Sequence, residues 1–218
     1  MGISQQIGSS SLIKPGVIDS AATRPASPYE GQVIFQKDTD QLLVWNGTAW
    51  VIPNSPAQNP TGLELVKTQA VGTGVSSVVV SDAFSTTYDN YRIQWSGASS
   101  LTTGNGLNMQ LGSTAAGYYA AMQYSGYGGA QSVVGDNNVS SWTHCAGANQ
   151  SQIVLDADIY NPFKAQITSI STNVYNDNAN TGKKSGWLNT TTSYTAFTLL
   201  VATGTITGGT VYVYGYRK

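Results

Sequence analysis

The sequence predicts an all-β protein: an N-terminal extended arm and small β-meander, followed by a jelly-roll-like antiparallel β-sandwich. Three observations carry this. Short runs rich in Val, Ile, Tyr and Trp alternate with polar residues at a period of two, the signature of half-buried strands. Clusters of Gly, Asn, Thr and Ser, such as TTGNG and NDNANTG, separate those runs. Helical periodicity is almost absent; only residues 117–123 could be argued as a helix, and their β-rich flanks weigh against it.

Residues 1–31 read as an extended assembly arm. Pro15, Gly16, Pro25, Pro28 and Gly31 punctuate it, and no apolar period survives. Residues 32–52 read as a three-stranded β-meander: QVIFQ, then LLVW, then TAWVI, with Lys37–Asp40 and Asn46-Gly47 as turns. Phe35, Trp45 and Trp50 load this small sheet with apolar surface. Three strands alone are marginal, so these rings are candidate assembly contacts. Residues 53–62, PNSPAQNPTG, form a Pro-rich linker stiffened towards an extended form.

Residues 63–218 form the main domain. Strands are expected at 63–71, 75–81, 89–96, 107–111, 117–124, 151–159, 165–174, 196–202 and 210–216. The clearest alternations are Tyr91, Ile93, Trp95; Ile153, Leu155, Ala157, Ile159; and Phe197, Leu199, Val201. Eight or nine antiparallel strands in a segment of this size suggest the sandwich. The last strand is loaded on both sides, with Val211 and Val213 on one face and Tyr212, Tyr214 and Tyr216 on the other. The three tyrosines are therefore candidate subunit contacts.

Composition narrows the function. Only 10% of the 218 residues are charged, against roughly 25% in ordinary domains. Hydroxyls and amides wet such a surface, and their contacts are not screened by salt. A net charge of -1 argues against nucleic acid as a partner, which would require clustered Lys and Arg. The pair Lys183-Lys184 reads as solvated surface. No apolar stretch approaches a membrane span of about 20 residues. The N-terminus lacks the cationic start and apolar core of a secretory signal, so release by lysis is expected.

A search for chemistry finds little. The single histidine, His144, stands near Ser140 and Ser141, but no G-x-S-x-G elbow accompanies it. Adjacent His144 and Cys145 on a strand point to opposite faces, which rules against a thiol–imidazole pair. Asp156 and Asp158 share a face at a spacing allowed for a glycosidase, but the strand's apolar face is the opposite one. The aspartates are expected on the wet side, or in a subunit salt link. Asp38 and Asp40 lie in a turn without enough oxygen ligands for calcium. No cluster suits zinc, and no glycine loop suits a nucleotide, so no metal or cofactor is expected. In GYYAAMQYSGYGG, Tyr118, Tyr119, Tyr124 and Tyr127 crowd one stretch. Such rings suit a glycan or a protein partner; core or interface is the favoured reading.

Four elements near the N-terminus carry a family resemblance: T-R-P at 23–25, P-Y-E-G-Q at 28–32, D-T-D at 38–40 and W-N-G-T-A-W at 45–50. Residues 22–51 resemble a motif common near the start of tail fibres and other minor virion proteins of tailed bacteriophages. The segments from GLELVKTQAV to GGTVYVYGYRK look like a module of such proteins. The resemblance implies a homotrimer on the virion, with no catalytic residues. The chain is short and has no repetitive shaft. The leading expectation is a short tail-fibre or tail-tip appendage, its arm docked on other phage virion proteins and its sandwich facing a host surface glycan. The alternative is a capsid decoration or head-fibre protein; the remote one is a glycan-degrading enzyme using Asp156 and Asp158.

Overall fold

The computed structural model describes residues 15–53, 62–101, 105–148, 151–176 and 180–217. Most of the expected linker and the first fourteen residues of the expected arm lie outside them. The chain divides into two compact units, residues 1–61 and 62–218.

The first unit is a four-stranded sheet. β1 (Gly16–Ile18), β2 (Val33–Gln36), β3 (Gln41–Trp45) and β4 (Trp50–Val51) lie in that order, and β1 runs parallel to β2. The sequence reading placed residues 16–18 in an extended arm. Instead, Lys37 N–H donates to the Ile18 carbonyl and Asp38 N–H to the Asp19 carbonyl, at 3.0 and 3.2 Å, holding β1 on the meander. A stretch this short carries no period of its own; the edge of β2 supplies its partner. The two turns are those expected. Asp40 adopts φ 49° in the first. In the second, the Asn46 side-chain oxygen accepts from Thr48 and Ala49 N–H at 3.0 and 2.8 Å, and Gly47 takes φ 91°.

The second unit is a β-sandwich, all antiparallel, as the sequence predicts. Its strands are β5 (Leu63–Ala70), β6 (Ser77–Val80), β7 (Asn90–Ser99), β8 (Gly106–Leu111), β9 (Tyr118–Gly126), β10 (Gln131–Val139), β11 (Trp142–Ala148), β12 (Gln152–Tyr160), β13 (Thr168–Asn176), β14 (Asn180–Leu188), β15 (Phe197–Val201), β16 (Ile206–Thr207) and β17 (Thr210–Tyr216). The large sheet runs β10-β9-β14-β13-β12-β7-β17-β5, with β16 paired to β7; the small sheet runs β11-β8-β15-β6. Within this order, β5-β17-β7-β12 faces β6-β15-β8-β11. These eight strands form the two interlocked Greek keys of a jelly roll. Two hairpins, β9–β10 and β13–β14, are inserted into it and widen the large sheet beyond β12.

The alternations legible in the sequence are the inner faces. Tyr91, Ile93 and Trp95 on β7, and Ile153, Leu155, Ala157 and Ile159 on β12, are all 2% exposed or less. They belong to one core with Leu107, Met109, Leu111, Trp142, Phe197 and Leu199. The Phe84 ring stacks on Phe197 with centroids 5.6 Å apart. Residues 117–123 lie in strand β9 and the turn before it. Four strands of this unit were not expected from sequence: β10, β11, β14 and the two-residue β16.

Candidate functional site

Asp156 and Asp158 stand on the outward side of β12, as the alternation requires. They are not a free acid–base pair. The Arg92 guanidinium forks onto both Asp158 oxygens at 2.9 Å, and the Tyr216 hydroxyl donates to Asp158 at 2.6 Å. Arg92 also approaches Asp156 at 3.7 Å, and the amides of Gln94 and Asn173 donate to it at 3.3 Å. Burial alone would raise the Asp158 carboxyl, but the bonds from Arg92 and Tyr216 outweigh it and hold the group below the usual carboxylate range. Burial and the bond to Asp158 push the Tyr216 hydroxyl up to about 12. The expected salt link is therefore made within the chain, by a neighbouring strand.

His144 and Cys145 are placed by β11. Cys145 is fully buried, and burial pushes its thiol up to about 12, the reverse of what a nucleophile needs. His144 takes φ 49°, its N–H donating to the Asn108 side chain at 3.1 Å and its Nδ1 lying 3.1 Å from the Thr143 hydroxyl. No group of three or more His, Cys, Asp or Glu able to hold a metal ion occurs among the described residues. No helix among them is long and apolar enough to cross a membrane.

The pair Lys183-Lys184 requires a correction. Lys183 is exposed, but Lys184 is 1% exposed on the inward side of β14. Its ammonium lies 2.6 Å from Asp136 and also donates to the Thr143 carbonyl. Asp136 in turn accepts from the Thr143 N–H at 3.0 Å and hydroxyl at 2.6 Å. Strand alternation places one lysine out and the next in, and only the unexpected strands β10, β11 and β14 bring the three residues together.

The four tyrosines of the Tyr/Gly stretch separate. Tyr118 is fully buried, its hydroxyl accepting from Leu111 N–H at 2.7 Å and its ring edge-on to Trp142 at 5.1 Å. Tyr124 is half-buried on the same face of β9 as Tyr118. Tyr127, in the following turn, is 69% exposed. Tyr119 points outward and stacks on Trp187 of β14, centroids 6.0 Å apart at 28°. Trp187 did not figure in the sequence reading. No apolar alternation signals it, because the inward positions of β14 before Leu188 are Gly182, Lys184 and Gly186.

The assembly candidates also divide by face. Trp45 and Trp50 pair across the β3–β4 turn, edge to face at 5.6 Å, on the side that also carries buried Ile34 and Leu43. Phe35 lies on the other side. The register groups it with Val17, Val33, Leu42, Val44 and Val51, an apolar set without exception. Val17 is 51% exposed and Leu42 42%. On the jelly roll, Tyr212 and Tyr214 stack outward at 6.4 Å, beside exposed Leu63 and Leu65 of β5. The two surfaces share a chemistry: large apolar side chains left uncovered on one sheet face.

No family model matches the chain, and no curated protein or solved structure matches it either.

Proposed function

We propose that the chain is a non-catalytic structural protein of a tailed-phage virion: a short homotrimeric tail-fibre or tail-tip appendage. The small unit, with the arm, attaches to the particle, and the jelly roll is displayed towards the host. The observation that carries this reading is the uninterrupted apolar face of the small sheet, Val17, Val33, Phe35, Leu42, Val44 and Val51, of which Val17 and Leu42 are exposed and the other four half-buried, in a chain with few charges. A sheet of four short strands gains little stability alone, and covering that face against another copy or a virion protein supplies the missing burial. The sequence resemblance of residues 22–51 to minor virion proteins points the same way. The engaged state of Asp156 and Asp158 favours this over a glycan-degrading enzyme.

The test has two parts. Gold-labelled antibody against the chain, applied to intact particles, is expected to mark the tail; labelling of the head would favour the decoration reading, and no labelling would sink both. Multi-angle light scattering of the full chain is expected to give three copies, and a stable monomer at micromolar concentration would remove the trimer.

A further inference from the structure

The two inserted hairpins, β9–β10 and β13–β14, build a surface that the eight-stranded jelly roll does not require. Their inward side chains, Tyr118, Met122, Thr172, Lys184 and Leu188, serve the interior. Their outward side chains fall on three lines running across the strands. In the first, Tyr160 stands beside Ser169, Ser169 beside Trp187, and Trp187 beside Tyr119. In the second, Ser171 stands beside Ser185, Ser185 beside Ala121, and Ala121 beside Gly135. In the third, Asn173 stands beside Lys183, Lys183 beside Gln123, and Gln123 beside Val133.

The middle line is all short side chains; the lines on either side are longer, apart from Ser169, which leaves a gap between Tyr160 and Trp187. The middle line is the floor of a trough. Residues two apart on a strand are spaced by about 6.6 Å, so the walls stand about 13 Å apart. One wall is aromatic. Trp187 is 50% exposed and Tyr160 37%, and the stacked Tyr119 and Trp187 present flat apolar rings to solvent. The other wall offers the amides of Asn173 and Gln123. Beyond Gln123 the trough opens into a shallow depression of about 310 Å³, with Ser125, Gln131 and Thr181 among its lining.

We propose that this trough binds a linear, uncharged polysaccharide. The C–H faces of the sugar rings lie on Trp187 and Tyr119, and their hydroxyls meet Ser171, Ser185, Asn173 and Gln123. Charge complementarity selects this occupant. From β13 to β10 the three lines carry a single ionic side chain, Lys183; on β12 the second line continues to Asp158 and the third meets Asp156, both aspartates held by Arg92. A nucleic acid or acidic polymer would find no row of cations. A protein partner would find a hydroxyl floor where an interface centre needs apolar area. An amphipathic, neutral polyol matches rings on one side and amides on the other. The inference rests on the reading that the jelly roll is displayed outward, and it names what the display meets.

The full-length protein is tested on an array of neutral and acidic polysaccharides, with Trp187→Ala, Trp187→Phe and Ser185→Gln in parallel. Wild type is expected to be retained by at least one neutral polymer, at low and high salt alike. Trp187→Ala is expected to weaken retention by roughly fivefold or more, Trp187→Phe to restore most of it, and Ser185→Gln, which fills the floor, to abolish it. Melting temperature and particle mass should be unchanged in all three. No retention by any neutral polymer, retention only by acidic polymers and lost in salt, or full retention by Trp187→Ala would each overturn the proposal. So would a change of oligomer size in Trp187→Ala, which would assign the face to a second copy. A failed array with labelled virions removes the polysaccharide alone; a positive array with unlabelled virions removes the virion reading alone.

Discussion

Lys184 shows how one residue can be misread from its neighbour. The Lys183-Lys184 pair reads as wet surface, but on a strand the two point to opposite faces. Lys184 enters the interior because Asp136 and Thr143 receive its ammonium there, and the glycines at 182 and 186 give the lysine no apolar setting in sequence to announce it. Taking two ions out of water costs several kcal/mol, which their mutual contact and the Thr143 bonds offset. The consequence is asymmetric. Lys184→Met alone leaves the Asp136 carboxylate buried without its cation and is expected to cost about 3–5 kcal/mol. The double variant Lys184→Met, Asp136→Leu is expected to recover most of that loss. Urea unfolding of both variants measures the difference; a Lys184→Met protein as stable as wild type would mean that the pair is hydrated. The outward lysine, by contrast, was legible: Lys183 is solvated, as a charged side chain at an exposed position should be.

At the scale of elements, legibility followed contrast. β7 as far as Trp95, β12 and β15 carry apolar residues at every second position, most of them large, and each was readable. β10, QSVVGDNNV, has only Val134 and Val139 partly buried and Asp136 inward. β11, WTHCAGA, buries one large residue, Trp142, and otherwise the small Cys145 and Ala146. β14, NTGKKSGWL, puts glycines and a lysine on its inward side. None offers a sustained apolar period, because β14 lies against β9 by close backbone approach and a buried ion pair with its Thr143 partner occupies the inward positions of β10, β11 and β14. The glycines of β14 are specific to that approach. A Cβ on Gly186 would come within 2.2 Å of the Tyr119 carbonyl oxygen and 2.4 Å of the Ala120 methyl. Both neighbours belong to β9, so the ladder itself would have to part. Gly186→Ala is expected to cost about 1–3 kcal/mol, the range of overpacking. Amide exchange should accelerate first in β9 and β14. Gly135→Ala on β10 is the control, since its added carbon meets the Ala120 oxygen only at 3.7 Å. Equal effects of the two substitutions would show that lost glycine flexibility, not the close approach, governs the site.

For the whole molecule, the division into a small and a large unit was legible from the Pro-rich stretch before residue 62. The side of the small sheet left bare was not, because both faces are apolar in sequence: Ile34, Leu43, Trp45 and Trp50 on one, Val17, Val33, Phe35, Leu42, Val44 and Val51 on the other. Only the register separates them, and with it two kinds of substitution that sequence alone would treat alike. Trp50→Ala removes half of an edge-to-face ring pair on the side of the unit's own interior and should unfold the small sheet, at a cost of about 3–5 kcal/mol if the cavity stays open. Leu42→Asp places a charge on the bare side, where the folded unit tolerates it but a contact with another copy does not, since a buried unpaired charge is strongly unfavourable. Full-length Leu42→Asp is therefore expected to run as a monomer in light scattering, while near-ultraviolet circular dichroism of the tryptophans and the melting of the jelly roll stay as in wild type. Trp50→Ala should change the tryptophan spectrum whether or not the oligomer survives. An oligomer that persists in Leu42→Asp with a native spectrum would move the subunit contact off the small sheet, to the stacked Tyr212 and Tyr214 and the exposed Leu63 and Leu65 of the jelly roll. Tyr214→Asp would then be the variant that dissociates it.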